Sequence, residues 1–241
     1  MIGGIFLAVV AAIAVPVVGQ GASVPFVGCR SDGQIGPLDA PTRENKTVSI
    51  GSQSARRFAF YQAANGFGVL APRGWYCFGI YGSGGGTLFV SPQPMEALLP
   101  FKADWGGFSE PVITVTHRFG DTSGRFSVAE IIARVFPTYM VFANAVADDF
   151  PQGDQFRVGP YPYDKLTYRS KRVVEFVTPA RTDGLGTYWT VKKNDSPISG
   201  VAALVGKTPD LLLLSVRLPR DLADLTSAIV RQVERDAEVQ Q

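Results

Sequence analysis

The chain is built from short apolar runs, each closed by a turn, and this constrains its fold more than any other feature. Phe58–Tyr61, Phe67–Leu70, Trp75–Phe78 and Thr87–Val90 are separated by Asn65-Gly66, by Ala71-Pro72-Arg73-Gly74 and by a glycine cluster at Tyr81–Gly86. Val112–Thr116 is β-branched, and Lys171–Val177, Thr187–Lys192, Ile198–Val205 and Leu211–Leu218 follow, divided by Asp183-Gly184, Asn194-Asp195 and Thr208-Pro209. Runs this short, bounded by turn residues, are strands, and strands joined by tight turns pair antiparallel. Helical spacing occurs where Val128, Ile131, Ile132, Val135 and Phe136 form one stripe behind a Ser127–Glu130 capping box. Pro137 interrupts it, and a second helical segment is expected over Thr138–Ala147. Leu222, Leu225, Ile229 and Val233 form another stripe, predicting a helix from about Asp221, its N-cap, to Glu238. The predicted class is α+β: an antiparallel meander sheet with a mid-chain helix and a C-terminal amphipathic helix packed on it.

Composition sets the limits of function. The chain is 46% hydrophobic and 18% charged, which excludes a disordered polymer, a collagen and a coiled coil. A net charge of +2 gives no reason to expect a nucleic-acid partner. Two cysteines and one histidine cannot furnish a Cys₄, Cys₂His₂ or His₃ zinc site, so no metal or cofactor is expected. Residues 58–241 read as one domain, and 23–57, rich in Gly, Pro, Ser and Thr, as an extended N-terminal arm with a short strand at Thr47–Ile50. Asn45-Lys46-Thr47 is a glycosylation sequon, a three-residue pattern of low specificity.

The first charged side chain is Arg30. Before it lies the apolar run Ile5–Val18, then Gly19-Gln20-Gly21-Ala22. The run is shorter than the ~20 residues of a spanning helix, and the small residues after it suit a cleavage site. Residues 1–22 therefore read as a signal peptide, although the first four residues carry no Lys or Arg. An uncleaved anchor and a buried core helix are the alternatives. Phe26-Val27-Gly28-Cys29 resembles a lipobox but lies too far beyond the apolar run. An even cysteine count in an exported chain favours a Cys29–Cys77 disulfide over two free thiols or a catalytic Cys77. The expected location is extracytoplasmic, periplasmic or secreted, with membrane contact only if the N-terminal helix is retained.

The stretches VPFVGCRSDGQIGPLDAP (24–41), GVLAPRGWYCFGIYGSGG (68–85) and VEFVTPARTDGLGT (174–187) resemble motifs of uncharacterised secreted bacterial proteins, a resemblance that implies no catalytic residues. More loosely, Gly66-Phe67 followed by Pro72-Arg73-Gly74-Trp75, a helix, a meander and a last helix is similar to the PsbP/Mog1-like α/β/α sandwich. That likeness implies a non-catalytic accessory or binding protein.

Candidate chemistry is sparse. The glycine cluster lacks the lysine of a phosphate loop and is followed by a β-rich run, so it reads as a hairpin turn. Asp121-Thr122-Ser123-Gly124 departs from the aspartic-protease triplet by an inserted serine and reads as a turn. Glu110, Asp104 and Asp121 show no calcium-loop spacing. Arg169-Ser170-Lys171-Arg172 and Lys192-Lys193 read as solvated strand edges, with an anion-binding patch as the alternative. His117 shares a strand face with Val115 and reads as structural. A general base is the alternative, but no Gly-x-Ser-x-Gly elbow accompanies it. Trp75, Trp105 and Trp189 are candidates for an aromatic ligand groove. The expectation is an exported, non-catalytic binding or accessory module for a protein or small-molecule ligand. The alternatives are an extracytoplasmic hydrolase using His117 and a membrane-tethered interaction protein.

Overall fold

The computed structural model describes residues 21–95, 99–102, 104–151, 153 and 155–240. The run Ile5–Val18 lies outside them. In chain order the elements are β1 (Ala22–Val24), β2 (Phe26–Cys29), β3 (Ser31–Gly33), β4 (Lys46–Val48), α1 (Ser52–Ala55), β5 (Phe58–Ala63), β6 (Val69–Pro72), β7 (Tyr76–Gly82), β8 (Gly85–Ser91), β9 (Val112–Arg118), α2 (Arg125–Val135), α3 (Met140–Asp148), β10 (Lys165–Tyr168), β11 (Val173–Thr178), β12 (Ile198–Val205), β13 (Asp210–Arg217) and α4 (Thr226–Glu238). The class is α+β.

An eight-stranded sheet in the order β10-β11-β12-β13-β9-β8-β7-β3 spans the molecule. Its pairs are antiparallel except β3 with β7. A three-stranded sheet, β2-β5-β6, and the pair β1-β4 accompany it. Side chains alternate across the large sheet. Val201, Ala203, Leu212 and Leu214 join α4 (Ile229, Val233) and the small sheet (Phe58, Leu70) in one core. Ala202, Leu204, Leu211 and Leu213 join α2 (Val128, Ile131, Ile132) in the other. The sheet is therefore buried on both faces, which explains why β12 and β13 read as continuous apolar runs rather than alternating ones.

Residues 22–48 are integrated into the sheets. β2 runs parallel to β5, with Phe26 opposite Phe60, and β3 runs parallel to β7, with Ser31 opposite Gly79. Cys29 and Cys77 form a disulfide that ties β2, in the small sheet, to β7, in the large one. The Pro72–Trp75 motif is the corner between those sheets. Gly74 takes φ +87°, a left-handed turn conformation that costs glycine nothing. The fully buried Tyr61 locks the corner, its hydroxyl donating to the Pro72 carbonyl at 2.9 Å and accepting from the Trp75 N–H at 3.1 Å. α4 covers the β6 edge, and the buried Gln232 accepts the Leu70 N–H at 2.8 Å, satisfying a backbone donor that no strand reaches.

Three local expectations are corrected. Thr187–Lys192 is not a strand: a 3₁₀ turn at Leu185–Thr187 leads to Trp189 at φ +60°, and only Val191 bridges to Phe108. β11 pairs directly with β12, which leaves this segment no place in the sheet. α2 starts at Arg125 behind Gly124, so the Ser127–Glu130 box lies inside the helix and does not cap it. Asp221 is not the cap of α4, because Arg220–Leu225 forms a 3₁₀ turn ahead of Thr226. The Tyr81–Gly86 cluster is a hairpin turn, with Gly82 opposite Gly85.

The 174–187 motif is a structural knot. The Thr178 hydroxyl donates to Asp164 Oδ1 at 2.6 Å and accepts from the Gly186 N–H at 3.0 Å, while the Leu185 N–H donates to Asp164 Oδ2 at 2.8 Å. A Cβ at Gly184 would lie 2.1 Å from Asp164 Oδ1, so the carboxylate can cap the turn only over a glycine.

Candidate functional site

A cleft of about 670 Å³ opens on the face of the large sheet that carries α4, within the size range of small-molecule sites. Its floor is set by strand register. Tyr81 of β7 stands opposite Gly86 of β8, and Gly86 opposite His117 of β9, so the three residues form one row on one face. Gly86 puts no side chain into the row between Tyr81 and the imidazole, at a position where a Cβ would come 2.9 Å from the Ile80 carbonyl oxygen. The β5–β6 turn supplies Phe67, β9 continues into Phe119, the end of α4 and its cap supply Asp236 and Val239, Arg43 stands on the segment leading into β4, and Lys46 opens that strand.

His117 lies between two aromatic edges. Phe67 and Phe119 meet it edge-to-face, with centroids 4.9 and 4.8 Å away. Its Nε2 is 3.6 Å from Asp210 Oδ2, beyond hydrogen-bond length, and has no hydrogen-bond partner among the described residues. Asp210 instead accepts the Gly120 N–H through Oδ1 at 2.8 Å. Burial lowers the His117 pKa below its ordinary value, against the opposing pull of the Asp210 charge. The imidazole is therefore neutral near pH 7.

A pH dependence follows. A histidine whose folded pKa is depressed stabilises the fold above its unfolded pKa of about 6.5. That contribution is lost as pH falls through 6.5 towards the folded value, because the unfolded chain takes up the proton first. Unfolding of the wild type and of His117→Gln, followed by urea titration from pH 7.5 to 5, is expected to show a steeper loss in the wild type. Parallel curves would refute it. At neutral pH the substitution is expected to cost about 1 kcal/mol, from the two lost ring contacts.

Among the described residues that line the cleft, none offers His117 a free hydroxyl or thiol. The Tyr81 hydroxyl donates to the Gly36 carbonyl, Thr87 pairs with Thr116 at 3.1 Å on the opposite face, and both cysteines are in the disulfide. The cleft walls combine cations, aromatic rings and a neutral imidazole, an arrangement suited to holding a ligand.

The other candidate residues lie elsewhere. Trp75 packs against the core on the α4 side. Trp105 stacks edge-on with Phe89 and Phe108 on the opposite face, and Trp189, half exposed, carries the Arg118 guanidinium 4.7 Å from its ring centroid. The three tryptophans do not line one groove. Arg169 bonds Glu175 at 2.8 Å, Arg172 bonds Tyr139 and the Gly206 carbonyl at 2.8 Å each, and Lys193 bonds Asp183 at 2.7 Å. Arg169, Arg172 and Lys193 are thus engaged within the fold. Asp121–Gly124 is a turn in which Thr122 donates to the Phe119 carbonyl. No group of three or more His, Cys, Asp or Glu placed to hold a metal occurs among the described residues, so Glu110, Asp104 and Asp121 form no such cluster.

The cleft was not legible in the sequence as a unit, because its walls come from five separated segments. The available signal was the shared face of Val115 and His117 together with a glycine in the neighbouring strand. Comparison with protein-family models, with curated proteins and with solved structures finds no match to this chain.

Proposed function

We propose that the protein is an exported, non-catalytic binding module, with the Gly86–His117 cleft as its ligand seat and a fold of the PsbP/Mog1-like kind. The carrying observation is a cleft of about 670 Å³ lined by four aromatic side chains and an imidazole whose Nε2 has no hydrogen-bond partner among the described residues, with no free hydroxyl or thiol among the described lining residues. A Ser-His-Asp or Cys-His mechanism needs a nucleophile within reach of the base. Here Asp210 stands 3.6 Å from the imidazole, but no described lining residue offers a free nucleophile. Export is supported by the Cys29–Cys77 disulfide, which persists in oxidising compartments, and by the apolar run ahead of Arg30. Among the described residues no helix is long and apolar enough to cross a membrane.

The test is binding of a neutral, environment-sensitive aromatic probe, N-phenylnaphthylamine, followed by fluorescence. Phe67→Ala removes one wall and is expected to weaken binding about tenfold, the equivalent of ~1.4 kcal/mol of lost apolar contact. Ala64→Trp, at the exposed rim of the cleft, narrows the entrance without touching the core and is expected to do the same. Probe binding unchanged in both variants overturns the seat. Covalent labelling by a fluorophosphonate, or an esterase activity abolished by His117→Gln, overturns the non-catalytic reading.

A further inference from the structure

The charges around the cleft are arranged unevenly. Arg43, on the exposed segment that leads into β4, and Lys46, the first residue of that strand, line the cleft. Each lies over an aromatic ring, Lys46 Nζ 5.2 Å from the Phe60 centroid and Arg43 Cζ 6.0 Å from that of Phe26, and the two rings are themselves 6.4 Å apart. The cations are thus held on an aromatic shelf. Arg43 has no carboxylate partner among the described residues. The one acid in the lining, Asp236, accepts a hydrogen bond from Gln232 on its own helix; burial raises its pKa, and the Lys46 and Arg235 charges oppose that rise. Phe67, Phe119, Leu88, Val115 and the imidazole supply an apolar and aromatic part of the lining, beside the polar side chains of Gln62, Asn65 and Gln240.

A cationic rim above an aromatic interior favours a ligand that carries one negative charge at the end of an apolar body. The head can stay partly hydrated at the mouth, where it costs little to place, while the body is removed from water. A small inorganic anion would leave the aromatic walls unused, and a cation would be repelled at the entrance. We infer that the cleft takes an amphipathic organic anion, its acidic head at Arg43 and Lys46 and its aromatic or acyl body between Phe67, Phe119 and His117. The inference rests on the cleft being the ligand seat and adds the chemical class.

Two probes that share one aromatic body separate the two claims: anilinonaphthalene sulfonate carries the charge and N-phenylnaphthylamine does not. The full-length protein is expected to bind the sulfonate about tenfold more tightly than the neutral probe, a difference of ~1.4 kcal/mol. The double variant Arg43→Gln/Lys46→Gln is expected to remove that preference while leaving the neutral probe unaffected, which also shows that the variant is folded. Added salt should weaken the sulfonate alone, because the rim is exposed to screening. Equal affinity for the two probes, or a preference that survives the double variant, overturns the anion inference and leaves the seat standing. Sulfonate binding that Phe67→Ala and Ala64→Trp do not alter places the anion outside the cleft and overturns it too. Failure of both probes to bind overturns the seat together with its charge preference.

Discussion

Reduction of the Cys29–Cys77 disulfide is expected to destabilise the protein by about 4 kcal/mol, the loop-closure estimate for a cross-link across 48 residues. For a domain of this size that corresponds to a fall in melting temperature on the order of 10 °C. The placement of the bond concentrates the effect. β2 and β3 are short and pair parallel to β5 and β7. They follow one another in the chain but belong to different sheets, and the bond clamps the point where the chain crosses between them. Without it, residues 22–48 are expected to open before the main sheet. This segment carries Arg43 and Lys46, so reduction should also weaken ligand binding at the cleft. Thermal unfolding with and without reductant, together with hydrogen exchange of the 22–48 amides, checks both parts. A reduced protein with unchanged melting temperature, or alkylation of both cysteines in the native unreduced state, would contradict the prediction.

The parts of the fold legible in sequence are those where one local pattern coincides with one element. β5 to β9, β12 and β13 were marked by apolar runs between turn residues, and the α2 stripe and the inner face of α4 by helical spacing. Elements whose stability is not local were missed. β2 and β3 carry no alternation, because their hydrogen bonds are satisfied by parallel partners more than thirty residues away. β10, with the single aliphatic side chain Leu166, is an edge strand held by its register with β11. The segment 187–192 failed in the opposite sense. Its residues favour a strand, but the sheet position is already filled and tertiary contacts hold it as a loop. The tryptophans show the same limit, since composition counts aromatic rings but does not say which face of a sheet they occupy. The site was legible only in its centre, His117.

The loop at 187–192 and its neighbour at 106–110 are held by one side chain, and removing it is expected to be among the most damaging single substitutions in the protein. Arg217, at the end of β13, is 2% exposed, and its guanidinium meets only backbone oxygens. Nη1 donates to Lys192 at 2.6 Å, Nη2 to Phe108 at 2.7 Å and to Glu110 at 2.9 Å, and Nε to Glu110 at 3.3 Å. The planar fork thus gathers three carbonyls from two loops that form almost no regular structure of their own. Burial lowers its pKa, but an arginine starts so high that the group stays charged throughout the working range. Hydrogen bonds from a charged donor contribute about 1.5–3 kcal/mol each, while burying the charge offsets part of that. Arg217→Met matches the length without the donors and leaves the Lys192 and Glu110 carbonyls without that partner in a site closed to water, while the Phe108 carbonyl keeps the Lys192 N–H at 2.8 Å. A loss of about 3–5 kcal/mol is expected, with hydrogen exchange accelerated first at 106–110 and 190–193. Arg217→Lys offers one nitrogen in place of the fork and should recover only part of the loss. The substitution lies on the face of the sheet opposite the cleft, so the folded fraction of either variant should bind the neutral probe with wild-type affinity. A methionine variant as stable as the wild type in urea would show that the loops hold themselves and that Arg217 merely fills the space between them.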